Sequence, residues 1–98
     1  MNRITQQDLE ATVASINRVT GSPEASYTQH GAEYRANIGN YHLSYAYGGV
    51  SLHRMGNVGG GTSDVFRCGH VTKRDLYERM HAFLGGLEAA QVCQAAAA

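Results

Sequence analysis

From Glu33 onward the apolar residues of this chain recur at every second position, and no other feature restricts its fold as tightly. Period two is the spacing of a half-buried strand, and breaks at Gly39-Asn40 and Gly48-Gly49 suit two-residue hairpin turns. A turn at 39–40 pairs Ile38 with Tyr41, Ala36 with Leu43 and Tyr34 with Tyr45. A turn at 48–49 pairs Tyr47 with Val50 and Tyr45 with Leu52. Both registers sort the residues alike. One face carries Tyr34, Ala36, Ile38, Tyr41, Leu43, Tyr45, Tyr47, Val50 and Leu52, which is a core face. The other carries Glu33, Arg35, Asn37, His42, Ser44, Ala46, Ser51, His53 and Met55. A slip of one residue would mix the two sets, so the separation supports the register.

The flanks read as helices. Thr5 is an N-cap with Asp8 three residues on, and Leu9, Val13, Ile16 and Val19 form one apolar stripe that Gly21-Ser22-Pro23 ends. Residues 22–32 read as a connecting loop. Asn57 to Ser63 is a glycine-rich loop, and Asp64 to Cys68 suits a fourth strand. Thr72 caps a second helix with Asp75 in the capping-box position, and Leu76, Met80, Phe83, Leu84 and Leu87 line its apolar side. Gly85-Gly86 either ends that helix or weakens it, and the alanine-rich tail favours helix by propensity. The expected fold is α+β, in the order α-β-β-β(-β)-α, an antiparallel meander with two helices on one face. It is one domain over 1–98, with 1–4 and 90–98 peripheral.

Composition bounds the partners. The 98 residues carry eight basic and eight acidic side chains, a net charge of zero. That disfavours binding nucleic acid by bulk electrostatics and favours self-association into a homo-oligomer. The start of the chain does not read as a signal peptide, and no stretch is apolar enough to span a bilayer, so a cytoplasmic protein is expected. Cys68 and Cys93 form no CxxC and read as reduced thiols, and the scattered histidines predict no metal site. No cofactor is implied. Without a nucleophile elbow or triad context, the chain reads as non-enzymatic.

Three places can hold a ligand. His42 and His53 share the polar sheet face, where a diagonal would let both meet one molecule. In "GNVGGGTSD", the backbone amides around Asn57, Gly59, Gly60, Gly61 and Thr62 suit an anion-binding concavity, although no Walker or dinucleotide fingerprint is present. In "GHVTKRDLYERM", Lys73 and Arg74 occupy the first turn of a helix, where the dipole adds to their field and an anion is welcome. His70 and Arg54 join that cluster if the third strand ends nearby, and Tyr47 offers a ring on which a base can stack.

The segments "INRVTGSPEASYT", "ANIGNYHLSYAYGG", "LHRMGNVGGG" and "GHVTKRDLYERMHAFLGGL" resemble small accessory proteins of tailed bacteriophages and prophages, over about residues 9–87. The resemblance implies a compact protein made in the host bacterial cytoplasm. It also implies a task, either sequestering a small phosphorylated ligand such as a nucleotide immune signal or binding a host macromolecule; the polar sheet face is the surface expected to block a host protein. The element order is also similar to that of a double-stranded RNA-binding domain, but the basic residues do not continue along the last helix and the net charge is zero.

Overall fold

A computed structural model describes residues 3–97, with side chains through Cys93. Helix α1 (Gln6–Thr20) is followed by β1 (Tyr27–His30), β2 (Glu33–Ala36), β3 (Tyr41–Ala46), β4 (Gly49–Met55), β5 (Thr62–Asp64) and helix α2 (Lys73–Ala97). The expected α+β layout is present, with the antiparallel strands divided between two small sheets, β1-β2 and β3-β4-β5.

Helix α1 begins and ends as its sequence dictates. The Thr5 hydroxyl accepts from the Asp8 amide at 3.2 Å, and the Asp8 carboxylate accepts from the Thr5 amide at 2.8 Å. Gly21 terminates the helix at φ 69°, a left-handed conformation natural to glycine. In α2 the Asp75 amide donates to the Thr72 hydroxyl at 3.1 Å. The helix runs through Gly85-Gly86, and Gln91 Nε2 donates to the Val19 carbonyl at 2.7 Å, tying its second half to α1. Both helices pack on one face of the three-stranded sheet. Leu9, Val13 and Ile16 of α1 meet Leu76 and Met80 of α2 over Tyr41, Val50 and Leu52. Ile4 packs against this core. Residues 1, 2 and 98, part of the segments expected to be peripheral, lie outside the described residues.

The strand register departs from expectation in three places. No hairpin forms at 39–40. Glu33–Ala36 turns back on β1 instead, pairing Tyr27 with Ala36 and His30 with Glu33, within the segment expected to be a loop. Side-chain chemistry explains this. Asn37 Nδ2 donates to the Ala25 carbonyl, and Asn40 Nδ2 donates to the Pro23 and Glu24 carbonyls. Residues 37–40 are thereby pinned as a corner against 23–26 and cannot close a tight turn between Ile38 and Tyr41.

The second hairpin turns at Tyr47-Gly48 and pairs Tyr45 with Val50 and Ala46 with Gly49. That is two residues from the expected register, an even shift, so each strand side chain keeps its face, whereas Tyr47, now in the turn, joins the open-face rings instead of the core. Tyr41, Val50 and Leu52 are buried as expected, whereas Tyr34, Ile38, Tyr45 and Tyr47 are exposed. Met55, assigned to the polar face, is buried. The third departure is β5, which stops at Asp64. The Asp64 carboxylate accepts from the amides of Phe66, Arg67 and Gly69, curling the chain where the fourth strand was expected over 64–68, and the strand that forms takes in Thr62 and Ser63 of the expected loop instead.

Candidate functional site

Apart from Arg54, the expected ligand residues fall into three groups, the first two touching at Thr62. The first is a row of rings across the open face of the sheet. His42 and His53 are direct cross-strand partners, not diagonal ones, with ring centroids 6.1 Å apart. His70 continues the row 6.0 Å from His53, and Tyr47 ends it 5.8 Å from His70. Each histidine has a fixed neighbour: His42 Nδ1 lies 3.2 Å from Asn40 Oδ1, His53 Nδ1 3.2 Å from Thr62 Oγ1, and His70 Nε2 3.2 Å from Ser44 Oγ. Burial, then the neighbouring His53, holds the His42 pKa below the usual histidine value. Ser51 is fully buried on this face, with no hydrogen-bond partner for its hydroxyl. Glu33 and Arg35 belong to the other sheet and do not share this surface.

The second group is the glycine loop, and its amides are already engaged. Asn57 Oδ1 accepts from Gly59 and Gly61, both at 3.0 Å, and the Asn57 carbonyl accepts from Gly60. The glycines answer to packing. Gly60 has φ 96°, and a Cβ there would lie 2.9 Å from the Tyr27 hydroxyl.

The third group is a cleft of about 930 Å³ at the end of the molecule where both helices begin. Lys73 and Arg74 line it from the first turn of α2, Arg3 from just before the Thr5 cap of α1, and Gly48-Gly49 from the hairpin tip. Tyr45, Val50 and Val71 supply less polar walls, and no carboxylate is among the lining residues. A two-way bridge holds the α2 start in place: Val50 and Val71 exchange amide-to-carbonyl bonds, both 2.9 Å. Gly49 permits that approach, since a Cβ on it would sit 2.9 Å from the His70 carbonyl carbon. Asp75 leans away into an ion pair with Arg79 at 2.8 Å. Neither Arg54 nor His70 joins this cluster. The Arg54 guanidinium lies over the Tyr41 ring at 5.5 Å, and His70 belongs to the ring row.

Tyr47 stands between Ala46 and Gly48 of the cleft wall and is 98% exposed. Its φ of 55° and that of Gly48, 75°, give a type I′-like turn in which asparagine or glycine would be the easy choice. A bulky residue there costs about 1–2 kcal/mol.

A second, smaller groove of about 410 Å³ runs between α1 and the outer edge of β3, lined by Glu10, Glu24, Val13, Leu43 and Tyr45 among others. Partial burial, then Glu10, raises the Tyr45 pKa. Sequence reasoning passed over Arg3, Glu10 and Glu24. Arg3 was readable as a cation beside a helix cap, but the convergence of the two helix starts is a long-range fact.

Among the described residues no group of His, Cys, Asp and Glu could hold a metal ion, Cys68 and Cys93 are free, and no helix is long and apolar enough to cross a membrane. Comparison with protein-family models, curated proteins and solved structures finds no match.

Proposed function

We propose that this protein is a non-enzymatic binder that sequesters a small phosphorylated ligand in the basic cleft. The observation that carries the reading is the lining itself: Arg3, Lys73 and Arg74 meet the first turns of both helices, and no carboxylate is among the described lining residues. Cations beside a positive helix end cost roughly 0.3–1 kcal/mol each when exposed, and a bound anion reverses that term. A phosphate can accept charge-assisted hydrogen bonds from the arginines and the lysine while the helix dipoles add their field. Tyr45 in the wall suits the planar part of a nucleotide. The phage origin, the action against host defence and the choice of a nucleotide immune signal rest on the segmental resemblance alone.

A thermal-shift screen against mono-, di- and cyclic nucleotides, with inorganic phosphate and short duplex RNA and DNA as controls, tests this reading. A ligand at about 100 times its Kd should stabilise the fold by roughly 2.7 kcal/mol. A folded Lys73→Glu/Arg74→Glu variant should lose the shift. An unchanged affinity in that variant would sink the reading, and silence across the whole panel would move it to a host protein as partner.

A further inference from the structure

The groove along β3 has a chemistry of its own. β3 is the outermost strand of its sheet, pairing with β4 on one side only. Asn17 marks which backbone groups face the free side. Its Nδ2 donates to the Tyr41 carbonyl at 3.0 Å and its Oδ1 accepts from the Tyr41 amide at 2.9 Å. Antiparallel pairing alternates with period two, so the amide and carbonyl of Leu43 and Tyr45 point the same way as those of Tyr41, away from β4. Asn17 thus covers the first outward residue of the edge, and among the described residues the next two have no such partner.

Those open groups look into a groove that carries two carboxylates, Glu10 on α1 and Glu24 on the following loop, and no lysine or arginine among its lining residues. Val13 and Ala14 give it an apolar wall. An unpaired edge recognises an extended backbone, and the flanking charges select its side chains. A second copy of this chain pairing β3 to β3 would bring the same two acids with it, and like charges across an interface disfavour that occupant.

We infer that the β3 edge and its acidic groove form a docking site for an extended basic peptide segment of another protein, added as a fourth strand beside β3. The incoming strand lies about 4.8 Å from β3 and exchanges backbone hydrogen bonds with Leu43 and Tyr45. Its lysines or arginines, at alternate positions, reach Glu10 and Glu24. This site is independent of the phosphate reading and shares only Tyr45 with the basic cleft.

The probe is a blocked seven-residue peptide alternating threonine and lysine, with hydrogen exchange read residue by residue on the intact protein. In the free protein the Leu43 and Tyr45 amides exchange faster than that of Ser44, which faces β4. Saturating peptide should slow both at least about tenfold, and Glu10→Lys/Glu24→Lys should weaken binding about tenfold or more. The same peptide N-methylated along one edge should not bind. Three results would overturn the inference: no binding at about 1 mM peptide, binding that leaves the two amides unprotected, or protection already present in the free protein because a second copy occupies the edge.

Discussion

Two concavities meet at Tyr45, and their linings are opposite in charge. Among the described lining residues, the larger is walled by Arg3, Lys73 and Arg74 with no carboxylate; the smaller holds Glu10 and Glu24 with no lysine or arginine. They also differ in what the backbone offers. The basic cleft lies where two helices begin, so its backbone contribution is a dipole field. The acidic groove runs beside an uncovered strand edge, so its contribution is a row of hydrogen-bonding groups. A net charge of zero is the sum of these opposed patches and describes neither. A chain with eight charges of each sign can still present a strongly basic surface to one partner and an acidic one to another.

The largest expected effect falls on the basic cleft. Lys73→Glu/Arg74→Glu removes two charge-assisted contacts to phosphate, so affinity for a phosphorylated ligand should fall by about 3 kcal/mol or more, over a hundredfold, by calorimetry. Binding of a basic peptide at the acidic groove should not weaken. If both sites fail together, the two regions are not independent.

Asn17→Ala acts on the other region. It strips the Tyr41 amide and carbonyl of their partner, a buried pair of bonds, and should cost about 2–4 kcal/mol in denaturant unfolding. The same change lengthens the open edge, so Tyr41 should join Leu43 and Tyr45 among the fast-exchanging amides. Gly49→Ala tests the frame of the basic cleft: the added methyl meets the His70 carbonyl and should cost about 1–3 kcal/mol by overpacking. It also displaces the α2 start, so phosphate affinity should drop with stability.

Tyr47→Asn is expected to do the reverse. Asparagine tolerates the left-handed backbone, so stability should rise by roughly 0.5–1 kcal/mol. Affinity in the basic cleft should not change, because the Tyr47 ring lies against His70, and a loss of nucleotide affinity would show that the ring reaches the cleft.

The smallest effect is on pH dependence. The folded His42 pKa lies below the ordinary histidine value of 6.5, so the unfolded chain takes up its proton first. Stability from this group is complete above about pH 6.5 and declines as pH falls toward the folded pKa. His42→Asn should flatten that part of a stability–pH profile.

What was legible in the sequence was local. Thr5, Asp8 and Gly21 delimit α1 through contacts three or four residues apart, and Thr72 opens α2 in the same way. The alternation from Tyr41 to Leu52 holds although the turn falls elsewhere, because a shift of two residues leaves every strand side chain on its face, and Tyr47, in the turn itself, is the exception. What was not legible depended on distant partners. Gly39-Asn40 has the composition of a turn, yet Asn40 bonds the carbonyls of Pro23 and Glu24. The glycine loop has the composition of an anion cradle, yet Asn57 takes its amides. Arg3 and Glu10 carry no motif at all. Their roles follow from where two helix starts and one strand edge come together.

The most direct test of the central claim is amide chemical-shift mapping of the protein titrated with ADP. The account expects saturable shifts at Gly48, Gly49 and Val71 to Arg74, extending to Arg3, with Leu43 and Ala14 undisturbed. Shifts confined to His42, His53 and the loop at 57–61, or no shifts at all, would contradict it.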